Sequence, residues 1–282
     1  MSDASVTNQE PLRELVIRPR SGWIAIDWRE LWEARELLYF LVLRDIKVRY
    51  KQTVLGVAWA VLQPLFTMII FTVVFGNFAK IPSDGLPYAV FVFAGLLPWT
   101  FFSNNISQAS MSLVNQQSLL TKIYLPRLFI PASAIGSGLV DLLVSFFVFA
   151  ALMLYYGVGV DWRLAVVPLL ILITMAASLG VGLSLAALIV TYRDFRFVVP
   201  FLVQSLMYVS PVIYPVSMVP AQWQPLLALN PMAGVIDAFR STLLGLPWNL
   251  TTLAVSTLSS LLLLFHGLFY FRKTERNFAD IA

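Results

Sequence analysis

Long apolar stretches alternate with short polar segments along this chain of 282 residues. A helix needs about 20 mostly apolar residues to cross the hydrocarbon core of a bilayer. Six stretches contain no Asp, Glu, Lys or Arg: 54–76, 85–121, 142–160, 164–192, 197–236 and 241–265. The pattern predicts an all-α polytopic membrane protein with six transmembrane helices, at 54–77, 86–108, 130–156, 164–191, 197–216 and 249–271.

The overall composition supports this prediction. Hydrophobic residues make up 59% of the chain and charged residues only 12%, whereas a soluble domain is about half apolar and a quarter charged. The mean hydropathy of +0.80 also indicates a chain with more apolar surface than a soluble domain. The pI of about 9.4 comes from cations that lie beside membrane segments, which suits an anionic lipid leaflet better than a nucleic acid.

The distribution of Lys and Arg predicts which side each loop occupies. Sixteen of the 19 cations fall in the two terminal segments and in the loops 109–129 and 192–196. The other three, Lys80, Arg163 and Arg240, fall on the opposite side. Loops rich in Lys and Arg remain in the cytoplasm, so we expect both termini to be cytoplasmic.

Three parts of the chain are expected: a cytoplasmic tail at 1–27, an amphipathic interface helix at 28–53, and a transmembrane domain at 54–274. One stripe of the interface helix is mostly apolar: Leu31, Trp32, Leu38, Tyr39, Val42 and Ile46. Its end holds the densest basic cluster: Arg44, Lys47, Arg49 and Lys51. Such a helix lies in the membrane surface, either as a topology anchor alone or as a docking surface for a cytoplasmic partner.

The segment 217–248 is long enough to span a membrane, but three prolines interrupt it. Asn230 followed by Pro231 predicts a helix start, since asparagine caps a helix and proline fits its first position. Asp237 and Arg240 lie three residues apart on one face of that helix. We therefore predict a re-entrant or interfacial segment on the outer side, between the fifth and sixth spans.

The chain lacks the usual residues of an ATPase or a metalloenzyme. None of its 14 glycines is followed by lysine, which excludes a phosphate-binding loop of the common type. One histidine and no cysteine leave no transition-metal cluster. We predict no enzyme activity, no catalytic residue, no metal and no cofactor in this chain.

Asp141 and His266 are the ionisable groups inside the predicted spans. Asp141 lies about 16 Å into the third span at 1.5 Å per residue, and a carboxylate at that depth should face the bundle interior. Two interpretations remain open: a structural carboxylate bonded to serines or backbone, or part of a proton-coupled carrier.

Aromatic residues near span ends and breaks also have two interpretations. They form interfacial belts, or they supply stacking surfaces for sugar rings in a wide pore. The candidates for a channel wall are Trp59, Trp99, Phe101, Phe102, Tyr208 and Tyr214.

Six motifs, in order and over about residues 30–275, resemble the membrane subunits of type-2 ABC exporters that transport polysaccharides. They are "RDIKVRYKQTVLGVAWAVLQP" (44–64), "GLLPWTFFSNNI" (95–106), "LVNQQSLLTKIYLPRLFIP" (113–131), "YRDFRFVVPF" (192–201), "SPVIYP" (210–215) and "LNPMAGVIDAFR" (229–240). The resemblance implies a homodimer in the cytoplasmic (inner) membrane of a bacterium, with two separate ATPase subunits that bind ATP and Mg. The expected substrate is a lipid-linked glycan of the O-antigen, capsule or teichoic-acid type.

The resemblance also implies that the interface helix and the loop after the second span contact the ATPase. In that loop a short helix would present an apolar face with cations on its rim. The apolar residues are Leu119, Leu120, Ile123 and Tyr124, and the rim residues are Lys122 and Arg127. Two alternatives remain open: a type-2 exporter of drugs or small lipids, and a proton-coupled carrier that uses Asp141.

Overall fold

The computed structural model describes residues 28–51, 56–117, 119, 125–159 and 161–275, and every regular element in this part of the chain is a helix. The predicted tail at 1–27 lies outside the described residues. The α-helices are α1 (Trp28–Glu33), α2 (Arg35–Lys51), α3 (Gly56–Phe71), α4 (Tyr88–Asn115), α5 (Phe129–Tyr156), α6 (Val167–Thr191), α7 (Phe195–Val209), α8 (Gln224–Ala228), α9 (Pro231–Leu244) and α10 (Leu250–Glu275). A π-helical turn, Thr72–Phe78, continues α3, and a 3-10 turn, Trp162–Val166, precedes α6.

Five helices in the described ranges are long and apolar enough to cross a membrane: Ala58–Phe78, Tyr88–Asn115, Phe129–Tyr156, Trp162–Thr191 and Leu250–Glu275. They match five of the six predicted spans. The remaining predicted span, 197–216, coincides with α7, which has 15 residues. At 1.5 Å per residue α7 is only about 22 Å long, shorter than the roughly 30 Å of the hydrocarbon core.

Helix α4 forms the centre of the bundle. Most of its residues are buried, because α3, α5, α6 and α9 all pack against it. On the side facing α5, the rings of Phe93 and Phe149 stack with centroids 6.0 Å apart. A helix that is apolar on all sides belongs in the interior of a bundle, and α4 has that pattern over its first half.

Helices α6 and α10 cross at two glycines. A Cβ atom at Gly180 would overlap the backbone of Leu263, and one at Gly267 would overlap the carbonyl group of Gly180. Small residues allow membrane helices to approach this closely, which increases the van der Waals contact between them. The two helices therefore pack backbone to backbone.

The predicted helix start at Asn230–Pro231 is confirmed. The Asn230 side chain accepts a hydrogen bond from the Met232 amide at 3.0 Å and donates one to the Ser210 hydroxyl at 2.9 Å. On α10, the Ser256 hydroxyl donates to the Asn230 carbonyl and accepts from the Gly234 amide, both at 2.9 Å. These bonds fix α9 against α10.

Arg240 on α9 is fully buried. Its guanidinium group donates hydrogen bonds to the backbone carbonyls of four residues: Phe91, Pro211, Val212 and Tyr214. It also lies 3.7 Å from the centroid of the Phe91 ring, in cation–π geometry. Arg240 thus ties α9 to α4 and to the irregular segment that follows α7.

Candidate functional site

Helix α2 packs lengthwise along the first half of α5. Leu41 is buried in this contact, and Val42 lies over Gly136, where a Cβ atom would leave it too little room. Trp32 and Tyr39, two residues of the predicted apolar stripe, are exposed. The side of α2 that faces α5 instead combines aliphatic residues with charged ones.

A first polar cluster joins α2 to the end of α4 and the start of α5. Arg44 pairs with Asp45 at 2.7 Å and donates to the side-chain oxygen of Gln116 at 2.6 Å. The Ser133 hydroxyl donates to the second carboxylate oxygen of Asp45 at 2.8 Å. Arg44 and Asp45 therefore bridge three helices.

A second polar cluster lies one turn further along α2. Arg49 forms an ion pair with Asp141 of α5 and donates to the side-chain oxygen of Gln108 on α4. Tyr50 donates its hydroxyl proton to the other carboxylate oxygen of Asp141. Ser137 accepts a further bond from Arg49 at 3.2 Å.

Tyr50 remains a hydrogen-bond donor over the ordinary pH range. Burial, together with its hydrogen bond to Asp141, raises the pKa of Tyr50 to about 12. The structural interpretation of Asp141 thus fits the structure, but its side chain bonds to an arginine and a tyrosine rather than to serines or backbone. Ser145 donates to the backbone carbonyl of Asp141 at 2.9 Å, not to its carboxylate.

A cavity of about 470 Å³ lies beside the second cluster, between α3, α4 and α5. Most of its surface is apolar, and its polar side chains come mainly from α4, with Gln63 of α3 and Asp141 and Ser145 of α5. The lining residues are Arg49, Trp59, Ala60, Gln63, Pro64, Thr100, Phe101, Asn104, Asn105, Gln108, Gly138, Asp141, Leu142 and Ser145. Trp59 and Gln63 are exposed, so they lie at the edge of the cavity.

Asn105 stands out in the cavity wall. It is fully buried, and neither its amide nitrogen nor its amide oxygen has a hydrogen-bond partner. Gly138 on α5 leaves room for this amide, because a Cβ atom there would overlap the Asn105 oxygen. Buried polar groups almost always have partners, so the wall holds hydrogen-bonding capacity that the described protein atoms do not use.

The residues predicted to contact an ATPase fall into three groups. Lys47 and Lys51 are exposed on α2, whereas Arg44 and Arg49 bond to α4 and α5 as described above. Leu119 is partly buried against an apolar cluster, and Arg127 donates to the Glu275 carbonyl at the end of α10. Four residues lie outside the described ranges: Leu120, Lys122, Ile123 and Tyr124.

The aromatic residues predicted to line a channel are dispersed. Trp59 and Phe101 border the cavity. Trp99 and Phe102 are buried in the core of the bundle, where their ring centroids lie 5.8 Å apart. The remaining two lie at and just after the end of α7: Tyr208 in its last turn is exposed, and Tyr214 donates to the Val209 carbonyl at 3.0 Å.

His266 and Asp141 belong to different clusters. The His266 ring stacks on Tyr270, and its Nδ1 atom lies 3.3 Å from the Ser184 hydroxyl. The sequence interpretation missed the amide residues of α4 that line the cavity together with Asp141. Their spacing at 104, 105 and 108 was a usable signal, since residues four apart share a helix face.

Comparisons with known proteins agree with this architecture. A model of the ABC-2 type transporter family matches residues 36–244. The O-antigen export system permease protein RfbA of Myxococcus xanthus is 31% identical over 76% of this chain and 82% of its own length. A second protein of that name, from Klebsiella pneumoniae, is 25% identical over 87% of this chain and 95% of its own.

The polysialic acid transport protein KpsM of Escherichia coli is also similar, at 26% identity over 83% of this chain and 92% of its own length. The match to the family model covers most of the interface helix and all of the central helix α4, the cavity and α9. Because that match extends over more than half of the residues, the chain belongs to the ABC-2 type transporter family.

Proposed function

We propose that this chain is the membrane-channel subunit of an ATP-driven exporter that moves a lipid-linked polysaccharide outward across the inner membrane. The observation that carries the proposal is the similarity to RfbA and KpsM over more than four fifths of their lengths. The names of these relatives refer to O-antigen export and polysialic acid transport.

The energy for transport comes from a separate ATPase in this proposal. The chain has no phosphate loop of the common type, so ATP and Mg bind to the partner. Two copies of this chain and two ATPase subunits form the transporter. Each copy crosses the membrane six times, with α7 and the residues that follow it as the fifth crossing, and with both termini in the cytoplasm.

The segment between α7 and α10 is re-entrant from the outer side in this arrangement. It consists of short helical pieces separated by prolines, and its longest piece, α9, is buried against α4 and α10. Three of the carbonyl groups around Arg240, those of Pro211, Val212 and Tyr214, belong to such irregular backbone. Non-helical backbone is tolerated at membrane depth only where protein or a water-filled cavity surrounds it.

The ATPase docks on the exposed side of α2 and on the loop 117–127. The side of α2 that faces away from α5 offers two cations and two large apolar side chains: Lys47, Lys51, Phe40 and Val48. A surface that combines apolar anchors with rim charges suits a soluble partner. The loop would add Leu119, Leu120 and Tyr124 as anchors, with Lys122 and Arg127 on the rim.

Co-purification of the ATPase tests the docking surface. We expect Tyr124→Ala combined with Leu120→Ala to release the ATPase, because a buried anchor contributes about 2 kcal/mol or more. Lys122→Ala, a rim substitution, should have a smaller effect, and membrane insertion should be normal in all variants. Undiminished co-purification and export with the double variant would contradict the docking proposal.

Deletion of the gene in its own host tests the substrate class. We expect surface polysaccharide to be lost and lipid-linked glycan to accumulate inside, with both effects reversed by the intact gene. An exporter of drugs or small lipids would leave surface polysaccharide unchanged. The carrier alternative predicts transport driven by a pH gradient without any ATPase.

A further inference from the structure

We propose that the cavity between α3, α4 and α5 is a binding site for uncharged sugar rings of the exported molecule. This inference rests on the proposed function and adds the place within one subunit where the glycan is held. It assigns the contact to amide and hydroxyl side chains of α4 and α5, with an aromatic ring of α3 at the edge and one of α4 in the wall.

The first argument is the density of amide groups. Asn104, Asn105 and Gln108 of α4 and Gln63 of α3 all line the cavity, although each lies within a helix long and apolar enough to span a membrane. Polar side chains at such depth are expensive and tend to mark substrate paths. An amide offers both donors and acceptors. It therefore suits sugar hydroxyl groups, each of which can donate and accept hydrogen bonds.

The second argument is the unused hydrogen-bonding capacity of Asn105. Both polar atoms of its amide are buried without a partner, while Gln108 and Asp141 nearby are bonded to Arg49. A buried amide without partners is costly. A hydroxyl-rich ligand in the cavity would supply those partners once the amide group rotates toward it.

The third argument is the charge of the wall. Among the described residues that line the cavity, Arg49 and Asp141 are the charged ones, and they form an ion pair with each other. The wall therefore carries no net charge toward the cavity, and its other polar groups are amides and hydroxyls. A phosphate group would prefer an uncompensated cation, so the wall favours sugar rings over the phosphate of a lipid carrier.

Size and shape agree with this assignment. A volume of about 470 Å³ is within the range of small-molecule pockets, about 300–1,000 Å³, and suits on the order of one or two sugar rings. Trp59 at the edge and Phe101 in the wall supply flat apolar surfaces against which a ring can stack. The exposed edge at Trp59 and Gln63 provides an entrance.

Cysteine labelling tests the proposal directly, because the chain contains no cysteine of its own. A cysteine at Gln63→Cys would be labelled with a small water-soluble thiosulfonate in ATP-depleted cells that make the glycan. The measurement is repeated in cells that lack the first glycosyltransferase. These cells keep the carrier lipid but do not attach sugars to it. Lys80→Cys, in the exposed loop after α3, is the matched control.

We expect labelling of Gln63→Cys to be several-fold slower when the glycan is present, with no change at Lys80→Cys. Equally fast labelling in both strains would mean that only water fills the cavity, which overturns the proposal. Equally slow labelling in both would mean that lipid or the carrier occupies it, which also overturns the proposal. Export by the unaltered chain in the same strain tests the proposed function separately.

A second variant separates binding from folding. Asn104→Leu removes one amide of the wall while keeping a branched side chain, and we expect export to fall about tenfold, as for the loss of one good hydrogen bond. Co-purification of the ATPase should be unchanged. Ser107→Ala on the same helix, outside the cavity lining, is the control. Normal export by Asn104→Leu together with retained protection of Gln63→Cys would contradict the assignment.

Discussion

Arg49 and Arg240 are both held inside the bundle, but by different kinds of partner. Arg240 is 1% exposed and bonds to four backbone carbonyls. Arg49 remains about a quarter accessible and bonds to the side chains of Asp141, Gln108 and Ser137. One arginine is fixed by the backbone, and the other is held by side chains that rotate.

The difference indicates what each region does. Backbone carbonyls move only when the chain itself rearranges, so Arg240 locks α9, α4 and the segment after α7 into one unit. An ion pair between side chains on two helices separates without unfolding either helix, and water at the cavity edge lowers the cost. Helix α2 is thus attached to the bundle mainly by side-chain contacts, whereas α9 is attached through backbone carbonyls.

The largest effect is expected from Arg240→Ala. Removing the guanidinium group leaves four carbonyl groups without their donor, at about 1 kcal/mol or more each, so we expect little folded protein in detergent. Arg240→Lys should also be unstable, since an ammonium group does not match the planar fork. Yield and thermal unfolding of the purified chain are the measurements.

Arg163→Ala is the control for that prediction, because Arg163 bonds to one carbonyl and one carboxylate in a partly exposed loop. A small effect is expected there. Equal thermal stability of Arg240→Ala and Arg163→Ala would show that the hydrogen bonds from Arg240 to the backbone do not stabilise the fold.

The second effect concerns the ion pair of α2 and α5. We expect Arg49→Met and Asp141→Leu each to destabilise the chain by about 3 kcal/mol, because each leaves an unpaired charge. The double variant should recover most of this loss, with a coupling energy of about 1–3 kcal/mol. Thermal unfolding of the parent, the two single variants and the double variant completes the double-mutant cycle. Additive losses of stability would show that the two residues act independently.

A smaller effect is expected from Tyr50→Phe, which removes one hydrogen bond to Asp141, worth about 1 kcal/mol. Because the pKa of Tyr50 is raised to about 12, above its usual value near 10, its contribution is fully present below pH 10 and is lost as the pH rises through 12. The stability difference between Tyr50→Phe and the parent should therefore be constant from pH 6 to 9. A difference that changes within that range would contradict this assignment.

The smallest effect on stability is expected from Lys47→Ala and Lys51→Ala. Both side chains are exposed, so each change should alter stability by less than about 0.5 kcal/mol. If the ATPase docks on this side of α2, its co-purification should fall and become more sensitive to salt. Unchanged ATPase binding would restrict the docking surface to the loop 117–127.

Several span boundaries were predictable because charged or breaking residues flank the apolar stretches. The predictions 130–156 and 164–191 agree within two residues with Phe129–Tyr156 and Trp162–Thr191. The end of α7 also had a signal, since Ser210 precedes Pro211 and a residue before proline is disfavoured in a helix. The prediction of a span at 197–216 did not use that signal, because it relied on hydropathy, which does not detect a break at proline.

The extent of α4 was underestimated for another reason. The prediction ended this span at 108, but the helix continues to Asn115. Its last turns are rich in Ser, Asn and Gln, which a hydropathy criterion counts against a span. In the structure the side chains at 108–114 are buried or half-buried, and Gln108 accepts a hydrogen bond from Arg49 of α2.

The partners of Asp141 could not be predicted from a single sequence. Arg49 and Asp141 are 92 residues apart, and nothing in the local pattern of either segment states which arginine meets which carboxylate. Arg49 was predicted to face a partner because it belongs to a basic cluster. Only the packing of α2 along α5 shows that this cation faces inward while Lys47 and Lys51 face outward.

The glycine crossing of α6 and α10 bears on how the subunit deforms. Two helices in backbone contact at Gly180 and Gly267 do not slide past each other without a steric clash, so they act as a rigid strut, to which α4 and α9 are also fixed. Transport requires some helices to move relative to others that stay fixed. We expect this strut to be the fixed part, and α2 with α3, which pack more loosely on the bundle, to be the part that moves.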